Sequence, residues 1–192
     1  MKSFKLDIDA DGIALLTWDM PEKSMNVWDE TSLSEFEAFI EALPSDDKIK
    51  GLVITSGKDT FCGGADISML AAMRDEGEKI KAKKGEIAAK QYIYEQSSRL
   101  SRVFRKMETA KKPVAVALPG TAMGGGWEVS LAAHARFAAE NPSAKLGLPE
   151  VKIGLLPGAG GTTRMMRLLP AQEALPLLLQ GKEMRLEKAK AL

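Results

Sequence analysis

The 192-residue chain has few of the residues that build disulfide bonds and metal sites. It contains one cysteine, Cys62, and one histidine, His134. A single cysteine excludes an internal disulfide framework, and a histidine without a cysteine or histidine partner is a poor start for a metal site. We therefore interpret Cys62 as a small packing residue and His134 as a packing residue within an alanine-rich helix, and we expect no metal.

The chain also lacks an excess of charge and a long apolar run. Lysine and arginine number 27 against 26 aspartates and glutamates, so no global field favours nucleic acid. No apolar run approaches the roughly 20 residues that span a bilayer, and the N-terminus alternates like a strand rather than a signal peptide. We expect no nucleic-acid partner, no membrane span and a cytoplasmic location. The 45% of hydrophobic residues suffices for a real core.

Two glutamates lie in stretches that are almost free of other charges. Glu128 ends residues 122–128 (AMGGGWE), and Glu150 ends residues 146–150 (LGLPE). A glutamate chosen at random is most often a solvated surface charge, but surroundings this poor in charge make that interpretation weak for Glu128. Two carboxylates on separate turns can flank one substrate, one ionised to accept a proton and one protonated to donate it.

The glycines before Glu128 require a physical reason, because each adds chain entropy that folding must overcome. Residues 114–118 (VAVAL) predict a buried strand and the residues after Gly126 predict a buried helix, so the glycines lie at a helix N-terminus. Free N–H groups there can stabilise an oxyanion. A second turn, residues 61–67 (FCGGADI), follows the predicted strand 51–55. The N–H groups of Ala65 and Gly125 would form a two-donor oxyanion hole if tertiary structure brought the turns together.

These motifs carry a family resemblance. FCGGADI at 61–67, GGGWE at 124–128, and the stretch from Pro149-Glu150 through PGAGGT at 157–162 resemble, in order and spacing, the crotonase (enoyl-CoA hydratase/isomerase) family. The resemblance runs from about Ile13 to the last residue. It implies an α/β fold, the crotonase-like (ClpP/crotonase) spiral of β-β-α repeats, as one domain over residues 1–192. Residues 185–192 resemble a family helix that continues into further helices, so we expect the C-terminal helical part to be missing.

The resemblance also implies a chemistry for the matched positions. The N–H groups of Ala65 and Gly125 would hold the thioester oxygen of an acyl-coenzyme A. Glu128 would deprotonate the water that attacks the β-carbon, and Glu150 would protonate the α-carbon, giving 3-hydroxyacyl-CoA. Having both glutamates favours the hydratases. An isomerase, another acyl-CoA enzyme of the family, and a non-catalytic acyl-CoA-binding fragment remain alternatives.

The same resemblance suggests further residues around the substrate. The predicted substrate-binding positions are Lys23, Gly64, Asp66, Ile67, Gly124, Trp127, Pro157 and Gly158. Trp127 stands where many hydratases carry a smaller residue, so it either narrows the acyl pocket or packs beneath it. Residues 158–164 (GAGGTTR) lack the Gly-Lys-Ser/Thr ending of a phosphate loop and are interpreted as a tight turn before a helix at 163–169.

A finer resemblance concerns residues 19–26 (DMPEKSMN), which look like the opening loop of the α chains of multifunctional fatty-acid oxidation complexes. It implies that an NAD-dependent 3-hydroxyacyl-CoA dehydrogenase domain follows, and that the protein is a homo-oligomer or a subunit of a β-oxidation complex with a thiolase. The hydratase chemistry itself implies no cofactor within this domain.

Other segments are less specific. Leu100, Val103, Phe104 and Met107 fit one helical face within the charged segment from Arg74 to Lys112, which is either a surface helix or a mobile lid over the acyl chain. Thr31 or Ser32 is the predicted cap of a helix, strands are predicted at 136–139 and 144–147, and Pro176 is expected to kink a helix.

Overall fold

The computed structural model describes residues 1–192 and contains seven strands and seven α-helices. The strands are β1 Phe4–Ile8, β2 Ile13–Trp18, β3 Gly51–Ser56, β4 Val114–Leu118, β5 Ala122–Met123, β6 Ala135–Ala138 and β7 Leu146–Gly147. The helices are α1 Glu30–Ala42, α2 Ile67–Lys84, α3 Glu86–Glu108, α4 Gly125–Ala132, α5 Gly161–Leu168, α6 Ala171–Leu179 and α7 Leu186–Ala191. Short 3-10 turns lie at Leu43–Ser45 and Glu150–Ile153.

The larger sheet has five strands in the order β1-β2-β3-β4-β6. β1 and β2 form an antiparallel hairpin, in which the Asp9 carboxylate accepts the N–H groups of Asp11 and Ile13. The pairs β2–β3, β3–β4 and β4–β6 are parallel, so the chain crosses over between them through helical segments. The carboxyl ends of these parallel strands lead into the turns that the sequence singled out.

A second, narrower ladder runs beside the main sheet. β5 pairs with β7, and single bridges join Cys62 to Ala122 and Leu146 to Met184. Each crossover therefore contributes one strand to the large sheet, one short extended segment to the narrow ladder, and then helix. This order recurs after β3 and β4 and, with a 3-10 turn before the helix, after β6, and it is the β-β-α spiral that the family resemblance implied.

The core contains an aromatic cluster between the large sheet and helices α1 and α3. Its members are Phe4, Trp18, Trp28, Phe36, Phe61 and Phe104, with the Trp18 and Trp28 rings 4.3 Å apart. Each aromatic pair contributes about 0.5–1.5 kcal/mol beyond its buried area. The cluster fixes the backbone of Trp28, which donates its N–H to the oxygen of Gly64 and accepts the N–H of Asp66, both at 2.9 Å or less. The core thereby holds the turn that carries Ala65.

The segment from 74 to 112 forms a helical hairpin. Gly85, with a φ of 87°, separates α2 from α3. The predicted apolar face of α3 is confirmed, because Val103, Phe104 and Met107 are buried in the core. α2 packs on α3 and buries only Gly77, so α2 lies at the surface, and the alternative of a mobile lid over the acyl chain stays a prediction.

Three local predictions are corrected. The cap of α1 is Asp29 rather than Thr31 or Ser32, and Ser32 completes a capping box by accepting the N–H of Asp29. His134 lies outside α4, since Ala133 is extended, and its exposed ring accepts the N–H of Val114 at the start of β4. α5 begins at Gly161, two residues before the predicted start.

The two predicted strands after α4 hold with small shifts, and the expected kink at Pro176 stays a prediction. β6 and β7 lie within one or two residues of the predicted strands, and Pro176 lies inside α6, which extends on both sides of it. No helix combines the length and the apolar character needed to cross a membrane.

Candidate active site

The two predicted oxyanion turns lie against each other. Met123 donates its N–H to the oxygen of Cys62 at 2.9 Å, which joins the strands that precede the two turns. A side chain on Gly64, whose φ is 106°, would place its Cβ 3.3 Å from the Met123 oxygen and 3.8 Å from the Gly125 nitrogen. Only glycine combines this φ with so close an approach of two backbones.

Neither predicted donor has a hydrogen-bond partner within the chain. The N–H of Ala65 donates no hydrogen bond within the chain, although the neighbouring residues are bonded to Trp28. Gly125 is the first residue of α4, so its N–H has no partner inside the helix. The structure thus brings together the two N–H groups that the sequence proposed as an oxyanion hole.

The glycines of α4 also have a packing role that the sequence did not reveal. A Cβ on Gly125 would lie 2.8 Å from Cδ1 of Trp28, and one on Gly126 would lie 2.6 Å from Cβ of Cys62. The side-chain directions at these positions therefore point into the core. Cys62 is fully buried, and burial raises the pKa of its thiol to about 12, which agrees with its interpretation as a packing residue.

Glu128 is buried in α4 and is held by a loop far along the chain. It is 3% exposed, and its Oε1 accepts the N–H groups of Ala159 and Gly161, both at 2.8 Å. Burial is the main cause that raises the pKa of Glu128 to about 7; the charge of Glu150 acts in the same direction, whereas the N–H groups of Gly161 and Ala159 and the charge of Arg164 oppose it. A group whose pKa lies near neutrality can exchange protons at physiological pH.

Glu150 begins the 3-10 turn Glu150–Ile153 and faces the glycine turn. A Cβ on Gly124 would lie 3.1 Å from Oε1 of Glu150, so only a glycine leaves room for the carboxylate there. Oε2 of Glu150 is buried without a hydrogen-bond partner, and burial raises the pKa of this carboxyl group. A buried carboxyl oxygen without a partner favours the protonated acid.

Most of the other predicted substrate-binding residues lie on the two segments that adjoin these turns. Lys23 and Asp66 form an ion pair of 2.6 Å at the start of α2, and this pair together with Ser68 lowers the pKa of Asp66 to about 2. Ile67, two residues after Ala65, is 74% exposed. Pro157 and Gly158 lead into the loop that holds Glu128, and Gly158 has open space around it. Substrate contacts for all of these residues stay predictions.

Trp127 points away from this cluster. It is 6% exposed and lines a cavity of about 170 Å³ with residues of α4, α5 and α7, among them Leu131, Met165 and Ala189. Its position agrees with the interpretation that the indole packs beneath the site. A part in substrate binding remains a prediction.

Ala159 and Gly161 are functional candidates that the sequence analysis missed. The stretch 158–164 was interpreted only as a tight turn before a helix, whereas its N–H groups bind Glu128. A Cβ on Gly161 would lie 2.9 Å from Oε1 of Glu128, so the closest approach requires glycine. The available signal was the glycine pair at a helix N-terminus, where free N–H groups attract a carboxylate.

Comparison with known proteins agrees with this geometry. The β-β-α spiral, with the buried Glu128 and the half-buried Glu150 beside a pair of N–H groups that have no partner within the chain, places the chain in the crotonase fold class. The family model for enoyl-CoA hydratase/isomerase matches residues 9–192. The chain belongs to this family.

Individual relatives support the same assignment. The chain is 40% identical over 190 residues to the fatty acid oxidation complex subunit alpha of Shewanella amazonensis, covering 98% of this chain and 25% of that protein. The same-named subunit of Idiomarina loihiensis is 37% identical over 191 residues, with the same coverage of 98% and 25%. The chain thus spans about a quarter of the length of these curated relatives.

Solved structures share the fold over nearly the whole chain. Pseudomonas aeruginosa DspI superposes with a TM-score of 0.82 at 30% identity, covering 100% of this chain and 70% of its own. An enoyl-CoA hydratase from Bacillus anthracis gives a TM-score of 0.82 at 27% identity, covering 98% of this chain and 67% of its own.

Proposed function

We propose that this chain is an enoyl-CoA hydratase domain that adds water to a trans-2-enoyl-CoA and forms a 3-hydroxyacyl-CoA. The observation that carries the proposal is the position of two glutamates beside the N–H groups of Ala65 and Gly125: Glu128 is buried and accepts two N–H groups, whereas Glu150 is half-buried and its Oε2 has no partner. Family membership supports acyl-CoA chemistry, and the pair of carboxylates supports hydration within it.

The two N–H groups would bind the thioester carbonyl oxygen of the substrate. When water attacks the β-carbon, the electrons of the double bond move toward this oxygen and form an enolate. Each well-placed N–H donor contributes about 3 kcal/mol to the stabilisation of such a charge. The donors lie on a helix N-terminus and on a turn fixed by Trp28, so little reorganisation is needed as the charge develops.

The two glutamates would move the protons. Glu128 takes a proton from water as the oxygen bonds to the β-carbon, and Glu150 gives its proton to the α-carbon as the enolate collapses. One molecule of water is added in total, and proton exchange through solvent returns the pair to its starting state. Positioned proton transfer of this kind contributes roughly 10²–10⁴-fold in rate.

Before the reaction, one of the two glutamates must carry the proton, and burial and hydrogen bonding favour different choices. Deeper burial favours the proton on Glu128, whereas the two N–H donors favour the ionised form of Glu128. We assign the resting proton to Glu150, because its buried Oε2 has no donor to stabilise a charge. Mutual repulsion disfavours the ionisation of both groups at once, so Glu150 keeps its proton where Glu128 is ionised.

The longer protein is a separate proposal. The names of the curated relatives support a place in fatty-acid oxidation for a longer protein, of which this chain would be about a quarter, and we propose a cytoplasmic location for it. There an NAD-dependent 3-hydroxyacyl-CoA dehydrogenase domain would oxidise the product, and a thiolase subunit or further copies of the chain would complete the assembly. Within residues 1–192 we propose no cofactor, since acid-base chemistry accounts for the reaction.

The experiment that tests the function is product analysis in ¹⁸O-labelled water. The protein is incubated with crotonyl-CoA and with a longer trans-2-enoyl-CoA, and the products are identified by mass spectrometry. Hydration predicts a 3-hydroxyacyl-CoA that carries one ¹⁸O atom. A shifted double bond without oxygen uptake would identify an isomerase instead, and an unchanged substrate would leave only a binding module.

A further inference from the structure

Arg164 is the second charged residue in the core. Glu128 and Arg164 are the two charged residues among the buried ones, and Arg164 is 8% exposed. Burying a guanidinium is costly unless its charge is paired and its N–H groups are bonded. The hydrogen-bond partners of the Arg164 guanidinium therefore indicate why an arginine is buried there.

The guanidinium joins the end of α3 to the loop before α5. Nε and Nη2 of Arg164 donate to the two carboxylate oxygens of Glu108, each at 3.3 Å, and Nη1 donates to the oxygen of Ala159 at 2.9 Å. The intervening Gly160 has a φ of 93°, and any Cβ on it would overlap Nη1 of Arg164. The loop therefore wraps the guanidinium closely.

The same loop holds the Glu128 carboxylate. Ala159 accepts a hydrogen bond from Arg164 through its oxygen and donates its N–H to Oε1 of Glu128, and Gly161 supplies the second N–H. Movement of the guanidinium would shift Ala159, and with it the carboxylate. Reacting groups tolerate little displacement, since an error of 1 Å can lower a rate by about 10²-fold.

We propose that Arg164 is a positioning residue that fixes Glu128 through residues 159–161, with Glu108 as its anchor. The inference rests on the catalytic role proposed for Glu128. Glu108 is the last residue of α3, where a negative charge is unfavourable to the helix dipole. It stays ionised through Arg105 and Arg164, which hold the pKa of Glu108 below its ordinary value despite partial burial.

The charges around Glu128 predict the direction of each perturbation. Glu150 repels the ionised form of Glu128, Arg164 stabilises it, and Glu108 partly offsets Arg164. Removal of the Arg164 charge should therefore raise the pKa of Glu128, and removal of the Glu108 charge should lower it. A merely structural arginine would produce no such opposite shifts.

The experiment uses four variants of the protein. Arg164→Gln removes the charge, Arg164→Lys keeps the charge without the planar fork, and Glu108→Gln removes the anchor while keeping its shape. Arg167→Gln is the matched control, because Arg167 lies on the same helix, is exposed, and has no ion pair. The Glu128 carboxyl carbon is titrated by ¹³C NMR after assignment with Glu128→Gln, and kcat and KM are measured on the enoyl-CoA hydrated best.

We expect the midpoint of Glu128 to rise by about 1 pH unit in Arg164→Gln, to fall in Glu108→Gln, and to stay near the wild-type value in Arg164→Lys. In both Arg164 variants kcat should fall about tenfold or more, with KM changed by less than about threefold. If Arg164→Gln does not fold, Arg164→Lys and Glu108→Gln still carry the test.

Two results would overturn the inference. One is a Glu128 midpoint in Glu108→Gln that equals that of Arg167→Gln, and the other is a wild-type kcat in Arg164→Lys. Loss of all hydration in the wild-type protein would instead refute the proposed function, and the NMR titration would still report whether Arg164 and Glu108 control Glu128.

Discussion

Glu128 has two N–H partners but almost no contact with water, so its negative charge is costly to the folded state. Its pKa rises from 4.5 to about 7, which corresponds to roughly 3 kcal/mol. The group is a glutamate because the proposed chemistry requires a proton acceptor at that point. Retaining a costly charge at a functional site is a familiar trade between stability and activity.

This cost predicts how stability depends on pH. Between pH 4.5 and about 7 the folded protein binds a proton at Glu128 that the unfolded chain has released, so the free energy of unfolding decreases as pH rises through this window. Glu128→Gln removes the effect and keeps an oxygen for the two N–H donors. As pH rises from about 5 to about 8, the free energy of unfolding of the variant should therefore increase relative to that of wild type, by up to roughly 3 kcal/mol.

Urea unfolding at the two pH values measures this difference. Glu140→Gln is the control, since Glu140 is exposed and has no ion pair. An equal stability difference between Glu128→Gln and wild type at both pH values would contradict the assigned pKa.

Among the site residues, the sequence identified those whose immediate neighbours mark them as unusual. Glu128 and Glu150 were recognised because their neighbours carry no charge, and Ala65 and Gly125 because turn chemistry precedes a helix. The partners of Glu128 were not recognised, since Ala159 and Gly161 lie 31 and 33 residues further along the chain. Contacts over such separations depend on how the turns of the spiral stack, and the hydrophobic pattern of the sequence does not predict that stacking.

Helix α4 connects the oxyanion turn to the core through its first glycine. Because a Cβ on Gly125 would approach Trp28 to 2.8 Å, a side chain there must displace a tryptophan that lies in the aromatic cluster. We predict that Gly125→Val lowers turnover and also lowers the free energy of unfolding by about 1–3 kcal/mol, because overpacking of a close-packed core is costly. Thermal unfolding beside Gly158→Ala, at a glycine with open surroundings, measures it. An unchanged melting temperature would mean that Trp28 adapts freely.

The two helices of the hairpin, α2 and α3, differ in how much of their surface is buried. α3 inserts Val103, Phe104 and Met107 into the core, whereas α2 buries only Gly77, which faces Ile93. We predict that amide hydrogens of α2 exchange at least about tenfold faster than those of residues 100–107, because local opening of α2 exposes little apolar surface. Hydrogen-exchange mass spectrometry measures both. Equal protection would show that the hairpin opens as one unit.

Element boundaries were predicted least well where capping chemistry is shared. Asp29 and Ser32 cap α1 reciprocally, so the sequence offered several candidates within four residues. His134 was assigned to a helix because alanines surround it, but α4 ends at Ala132 and β6 begins at Ala135. Pairing of His134 with Val114 in the parallel sheet outweighs the helical preference of alanine.

For the whole molecule, the spiral was predicted through the resemblance of three ordered motifs to the crotonase family, and the residue pattern alone predicted only alternating strands and helices. The meeting of the two oxyanion turns could not be deduced from spacing. It depends on the narrow ladder in which Cys62 pairs with Ala122, about 60 residues away along the chain.

The surface of the molecule has exposed apolar side chains that favour self-association. Large exposed apolar side chains are frequent between residues 151 and 179, among them Ile153, Leu156 and Leu179, which are 65%, 79% and 69% exposed. Exposed apolar surface of this kind drives association. We predict that the protein of residues 1–192 self-associates, with a mass in light scattering that increases with concentration and decreases in Leu156→Lys. A concentration-independent monomer would contradict this prediction.

The central claim is that Glu128 and Glu150 both transfer protons, and the most direct test is the turnover of Glu128→Gln and Glu150→Gln on trans-2-enoyl-CoA. Each substitution keeps the shape of the side chain and removes the transferable proton site. We predict that each lowers kcat by at least about 10²-fold, while Glu140→Gln retains wild-type kcat and all three variants fold. Turnover within a few fold of wild type in either Glu128→Gln or Glu150→Gln would contradict the account.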